Sequence, residues 1–98
     1  MMGLKVPRWT DSRGKHGIPR ASVGWAIAHA SYITDLADNG DGSVDRLFIG
    51  PEHAQTDREL EVIVQLWTDQ SGREAIIFHA MQLGPKIRRM REEHPHGL

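Results

Sequence analysis

Apolar positions recur along this chain with two periods, and the switches between them divide it into six elements. In residues 19–31, PRASVGWAIAHAS, Val23, Ala26, Ile27 and Ala30 form one stripe at helical spacing, and Pro19 suits a first turn. The spacing predicts an amphipathic helix. Gly24 weakens such a helix by roughly 1 kcal/mol relative to alanine, which points to a close backbone approach at that position. Trp25 and His29, four residues apart, share a neighbouring flank and are placed to touch.

The period then changes to two. Residues 32–37 read as a short strand, followed by the turn signal Asp38, Asn39, Gly40, Asp41 and Gly42 and a second strand over residues 44–49. Gly50 and Pro51 end that strand, and a polar loop runs to Arg58. Residues 60–68, LEVIVQLWT, place Leu60, Val62, Val64 and Leu66 on one face, with Ile63 and Trp67 on the other. That pattern suits a central strand covered on at least one side. A second turn, residues 69–73, is centred on Ser71 and Gly72. Residues 74–80 form a fourth strand, and Pro85 opens a last helix over residues 85–93. The expected fold is α+β: one antiparallel sheet of four strands joined by consecutive hairpins, with flanking helices. All 98 residues fit a single domain, with residues 1–17 as an irregular basic arm holding at most a short strand or turn, and 94–98 as a tail that frays.

Composition changes this picture little. The chain is 39% hydrophobic and 26% charged, close to a globular average. No run approaches the ~20 apolar residues that span a bilayer, and no signal-peptide core follows the first basic residue. With no cysteine there is no disulfide or thiolate chemistry. These features imply a cytoplasmic protein without a membrane partner.

Charge adds more, through its distribution. The net charge is −1, yet Lys5, Arg8, Arg13, Lys15 and Arg20 near the start face only Asp11, and Lys86, Arg88, Arg89 and Arg91 cluster near the end. The middle of the chain is acidic. If the basic ends meet, their field steers a polyanion to one face; two solvated termini are the plain alternative.

Most candidate chemistry fails on spacing. Around Asp41 a calcium-loop pattern lacks its first ligand, at Ala37, and its bidentate glutamate, at Phe48, so a simple hairpin turn is the reading. His94 and His96 do not make a metal site without further ligands, and no helical metal-binding pair is present, so neither a metal nor a cofactor is expected. No nucleophile elbow or phosphate-cradling glycine loop occurs, and the scattered aromatics form no base-stacking platform. His16 lies in the basic arm and His53 in the acidic loop.

His79 differs because it emerges from an apolar strand. Alternation puts Ile77, His79 and Met81 on one face and Ile76, Phe78 and Ala80 on the other. The following helix brings Lys86 and Arg89 to one side at a spacing of three, with Arg88 adjacent. Metal-free RNA cleavage needs a group to take the 2′-hydroxyl proton, cations for the phosphorane charge and an acid for the leaving oxygen. A histidine with Lys86, Arg88 and Arg89 supplies these groups. A hydrogen-bonded structural histidine and a solvated charge run are equal alternatives.

Lys15-His16-Gly17-Ile18 before a helix, then Leu47-Phe48-Ile49-Gly50, the strand LEVIVQLW and the final strand-helix unit together resemble the BrnT-like toxins of the RelE-type ribonuclease superfamily, over residues 14–93. The resemblance implies the toxin of a type II toxin-antitoxin system, an endoribonuclease acting on mRNA, free or on the ribosome. It further implies a cognate antitoxin as partner and assembly as a homodimer or a toxin-antitoxin hetero-oligomer. Lys15, His16 and Gly17 match its motif, and Arg88 and Arg89 fall in its basic final helix; joined to the residue reading above, this puts Lys15, His16 and Arg88 on the RNA and His79, Lys86 and Arg89 at the reaction. The family's last strand ends Ser-Ala-Arg; this chain has His79-Ala80-Met81, so His79 would stand in for that arginine. A non-catalytic protein-binding module, using a sheet edge or helix face, is the rival class.

Overall fold

The computed structural model describes residues 8–9, 17–69 and 72–98. Its elements in chain order are β1 (Arg8–Trp9), α1 (Arg20–Ala28), β2 (Tyr32–Asp38), β3 (Ser43–Pro51), β4 (Glu59–Trp67), β5 (Ile76–Gln82) and α2 (Pro85–Glu93). The four long strands pair antiparallel in the order β5-β4-β3-β2, as consecutive hairpins require. The short β1 adds to the β5 edge in parallel, Arg8 opposite Ile76. The α+β architecture follows the hydrophobic pattern, with β5 beginning and ending two residues later than its expected span.

Each face of the sheet carries its own apolar cluster. On one, Val23 and Ala26 of α1 pack with Leu60, Val62, Val64, Ile77 and Ala80, flanked by Phe48 and Leu66. On the other, Tyr32, Leu47 and Ile49 are buried, and Leu36, Ile63, Leu83 and, from α2, Ile87 and Met90 pack against them. Strand alternation explains the division, since Leu47 and Ile49 flank Phe48 and Val62 and Val64 flank Ile63. The two helices therefore cover opposite faces, unequally: α1 buries Val23 and Ala26, whereas α2 buries no residue completely.

Two local expectations are corrected. Ile77 does not share a face with His79. Ile63 pairs with His79 but Val64 pairs with Ile77, so Phe78 is an extra residue on β5. This β-bulge shifts the alternation by one and delivers Ile77 to the α1 face beside Ala80. The close approach expected at Gly24 is also elsewhere. Nothing lies within 4 Å of a side chain built at Gly24, whereas one at Gly50 would run into the Ala26 carbonyl, with its carbon at 2.8 Å. Gly50 lets α1 rest on β3.

The β2-β3 turn uses its polar side chains on itself. Asp38 accepts from Gly40 N–H at 3.0 Å and Asp41 from Ser43 N–H at 2.9 Å, while Gly40 and Gly42 take φ values of 77° and 91°. The Ser43 hydroxyl also donates to Asp41, and together with the N–H bond it holds the Asp41 pKa below the ordinary value. Residues 94–98, expected to fray, are hydrogen-bonded to β2: the Tyr32 hydroxyl donates to the His94 carbonyl at 2.7 Å, and Leu98 N–H to Thr34 Oγ1 at 2.8 Å. Among the described residues no helix is long and apolar enough to cross a membrane.

Candidate functional site

The α2 side of the sheet is only partly covered, and the remaining space is a cleft of about 540 Å³. Leu36, Ile63, Met81, Ile87 and Met90 give it apolar walls; Glu61, His79 and Lys86 supply its ionisable groups. The sheet positions the first two. Glu61 lies opposite Met81, and His79 lies opposite Ile63, so Glu61 and His79 are diagonal neighbours on one face.

The two side chains are joined. His79 Nε2 lies 2.8 Å from Glu61 Oε1, and the second carboxylate oxygen accepts the Gly84 backbone N–H at 2.9 Å. Glu61 is only 5% exposed. A carboxylate at that depth must be hydrogen-bonded, because stripping its water without replacement costs several kcal/mol. Gly84 is the N-cap of α2, and its extended backbone, φ −93° and ψ 170°, starts the helix with Pro85 in the first turn. Its carbonyl then accepts the Arg88 N–H at 3.0 Å. Glu61 thus grips both the histidine and the entry to the cationic helix.

The helix distributes its cations to two flanks. With Ile87 and Met90 turned to the sheet, Lys86 and Arg89 fall on one side and Arg88 and Arg91 on the other. Lys86 lines the His79 cleft. Arg88 lines a separate depression of about 220 Å³ that also contains Asp57, Arg58 and Glu59. Those acids make it a poorer phosphate site than the Lys86 flank. Arg89 is exposed on the Lys86 flank. The structure therefore brings His79 and Lys86 to one cleft, sets Arg89 on the same side, and separates Arg88 from them. Lys15 and His16 lie outside the described residues.

Arg91 anchors α2 rather than facing outward. Its two terminal nitrogens donate to Glu59 at 2.9 and 3.0 Å, a bidentate pair that raises the guanidinium pKa above its usual value. Other acids of the middle segment are similarly engaged. Asp35 accepts from Arg46 at 2.6 Å across β2 and β3, which lowers its pKa, and Glu52 pairs with Arg58 at 3.4 Å. On the α1 side, Trp25 and His29 stack with centroids 3.8 Å apart, as their spacing predicts.

Glu61 is the site residue that the sequence reading passed over. Its signal was a lone acid inside the apolar run LEVIV, three residues before Val64 and on the polar side of the alternation. No group of three or more potential metal ligands occurs among the described residues. No protein-family model, curated protein or solved structure matches the chain.

Proposed function

We propose that this chain is an RNA-cleaving toxin of a toxin-antitoxin pair, with His79 as acid or base and Lys86 and Arg89 as its phosphate cations. The observation that carries the reading is a histidine held by a buried carboxylate in a cleft that a lysine also lines. Its resemblance to BrnT-like toxins supports the same reaction class. In that reaction His79 accepts the 2′-hydroxyl proton as the 2′-oxygen attacks phosphorus. Lys86 donates to the phosphorane oxygens, and the 5′-oxygen departs as a hydroxyl after taking a proton from solvent. The products are a 2′,3′-cyclic phosphate and a new 5′-hydroxyl end, and none of these steps requires a metal. Arg88, with Lys15 and His16 of the amino-terminal arm, extends the surface for RNA. An antitoxin with an acidic segment would cover Lys86, Arg88 and Arg89 and block access to the cleft.

A second reading is a non-catalytic binding module. It is favoured by β2, an edge strand that leaves Ile33 52% exposed. Induced expression in cells and purified protein on labelled RNA with EDTA separate the two. The ribonuclease arrests growth and leaves cyclic phosphate ends. His79→Ala and the double change Lys86→Ala with Arg89→Ala each reduce cleavage by about 100-fold or more, as for loss of an acid-base or charge-stabilising group. Wild-type protein that leaves both growth and RNA intact overturns the proposal. Full activity in both variants removes these residues from the reaction.

A further inference from the structure

We infer that Glu61 is a positioning residue: its carboxylate decides which nitrogen of His79 carries the proton and fixes the start of α2 from the same point. This inference rests on the ribonuclease reading for its catalytic consequence and on geometry for the rest.

An ionised carboxylate only accepts hydrogen bonds, so Gly84 and His79 must both donate to it. Gly84 donates its backbone N–H at 2.9 Å. His79 meets the other oxygen through Nε2 at 2.8 Å, which requires the proton on Nε2 and leaves the lone pair of the neutral ring on Nδ1. Nδ1 is then the basic nitrogen, and the imidazolium formed when it takes a proton stays beside a negative charge. Among the described residues, the charged groups lining the cleft with His79 are Glu61 from β4 and Lys86 from α2.

The second grip has a separate effect. Lys86 follows Gly84 by two residues, so the carboxylate that orients the base also places the first turn of the helix bearing the phosphate cation. Neither oxygen alone would do both. The pair lies on adjacent strands in the diagonal arrangement, which gives it a rigid base, and Glu61 is too buried for water to replace its partners.

Glu61→Gln tests this with little change of shape. Its amide carbonyl still accepts the Gly84 N–H, but its NH2 group donates to Nε2 and forces the ring proton to Nδ1. Nitrogen-15 imidazole spectra of the full chain are expected to show the Nε2–H tautomer in the wild type and the Nδ1–H tautomer in Glu61→Gln. RNA cleavage should fall by about 100-fold or more through kcat, with KM for RNA little changed. A purely structural glutamate would leave the tautomer as it was. The inference is overturned by an Nδ1–H tautomer in the wild type, by an unchanged tautomer in the variant, or by inversion without loss of cleavage. The wild-type spectrum needs no variant to fold. The expected tautomers in a wild type that cuts no RNA would uphold the positioning of His79 and reject the ribonuclease reading alone.

Discussion

A methyl group added at Gly50 has no room, because the Ala26 carbonyl occupies its place; one added at Gly24 meets nothing within 4 Å. The two glycines therefore predict opposite signs. Gly50→Ala should destabilise by about 2–3 kcal/mol as α1 is pushed from β3. Gly24→Ala should stabilise by about 0.5–1 kcal/mol through helix propensity and a less flexible unfolded chain. Urea unfolding midpoints decide the matter, and equal midpoints for the two variants would contradict this packing of α1. Sequence alone pointed to Gly24 for the close approach, whereas the contact is at Gly50. The reason is physical: a helix interior advertises the cost of Gly24, whereas Gly50 stands at a strand end, where glycine also serves as an ordinary stop. Glu61 was legible only as an acid among apolar neighbours, because its two partners come from β5 and from the turn before α2.

At the scale of elements, α1 and α2 are nine residues each, yet they are held differently. Burial fixes α1. Partial contacts of Ile87 and Met90, the Glu59–Arg91 pair and the Glu61–Gly84 bond fix α2. The ion pair is about a quarter to a third exposed, with side-chain values of 27% and 30%, so it adds little and Arg91→Ala should cost no more than about 1 kcal/mol. Ile87→Ala removes apolar contact between helix and sheet and should cost about 1–2 kcal/mol, less than full core truncation. Amide hydrogen exchange should show α2 opening at lower free energy than β3 and β4, with Ile87→Ala widening the gap and Arg91→Ala hardly changing it. Uniform protection across α2 and the central strands would refute that division. The elements themselves were legible because each has a clean period and flanking turn residues. The bulge at Phe78 was not: one extra residue leaves an apolar strand looking apolar, and only the pairing with Ile63 and Val64 reveals the change of face.

Across the whole molecule, charge is nearly balanced at −1, so any attraction to RNA must come from local arrangement rather than net field. Pairing sharpens the contrast. Arg46, Arg58 and Arg91 are each engaged with an acid, while Lys86 and Arg89 share the exposed flank beside the cleft. Binding to single-stranded RNA releases counterions from contacted phosphates, with a log-log salt slope of about −0.7 per contact. If Lys86 and Arg89 each hold one phosphate, their joint replacement by alanine should lower the magnitude of that slope by about 1.4. Arg91→Ala, which removes a cation already paired with Glu59, should leave the slope nearly unchanged. Fluorescence anisotropy with a labelled RNA over a range of potassium chloride concentrations measures both. Equal slope changes in the two variants would mean that RNA responds to total charge and not to the Lys86 flank, and the cleft beside His79 would lose its claim to the phosphate.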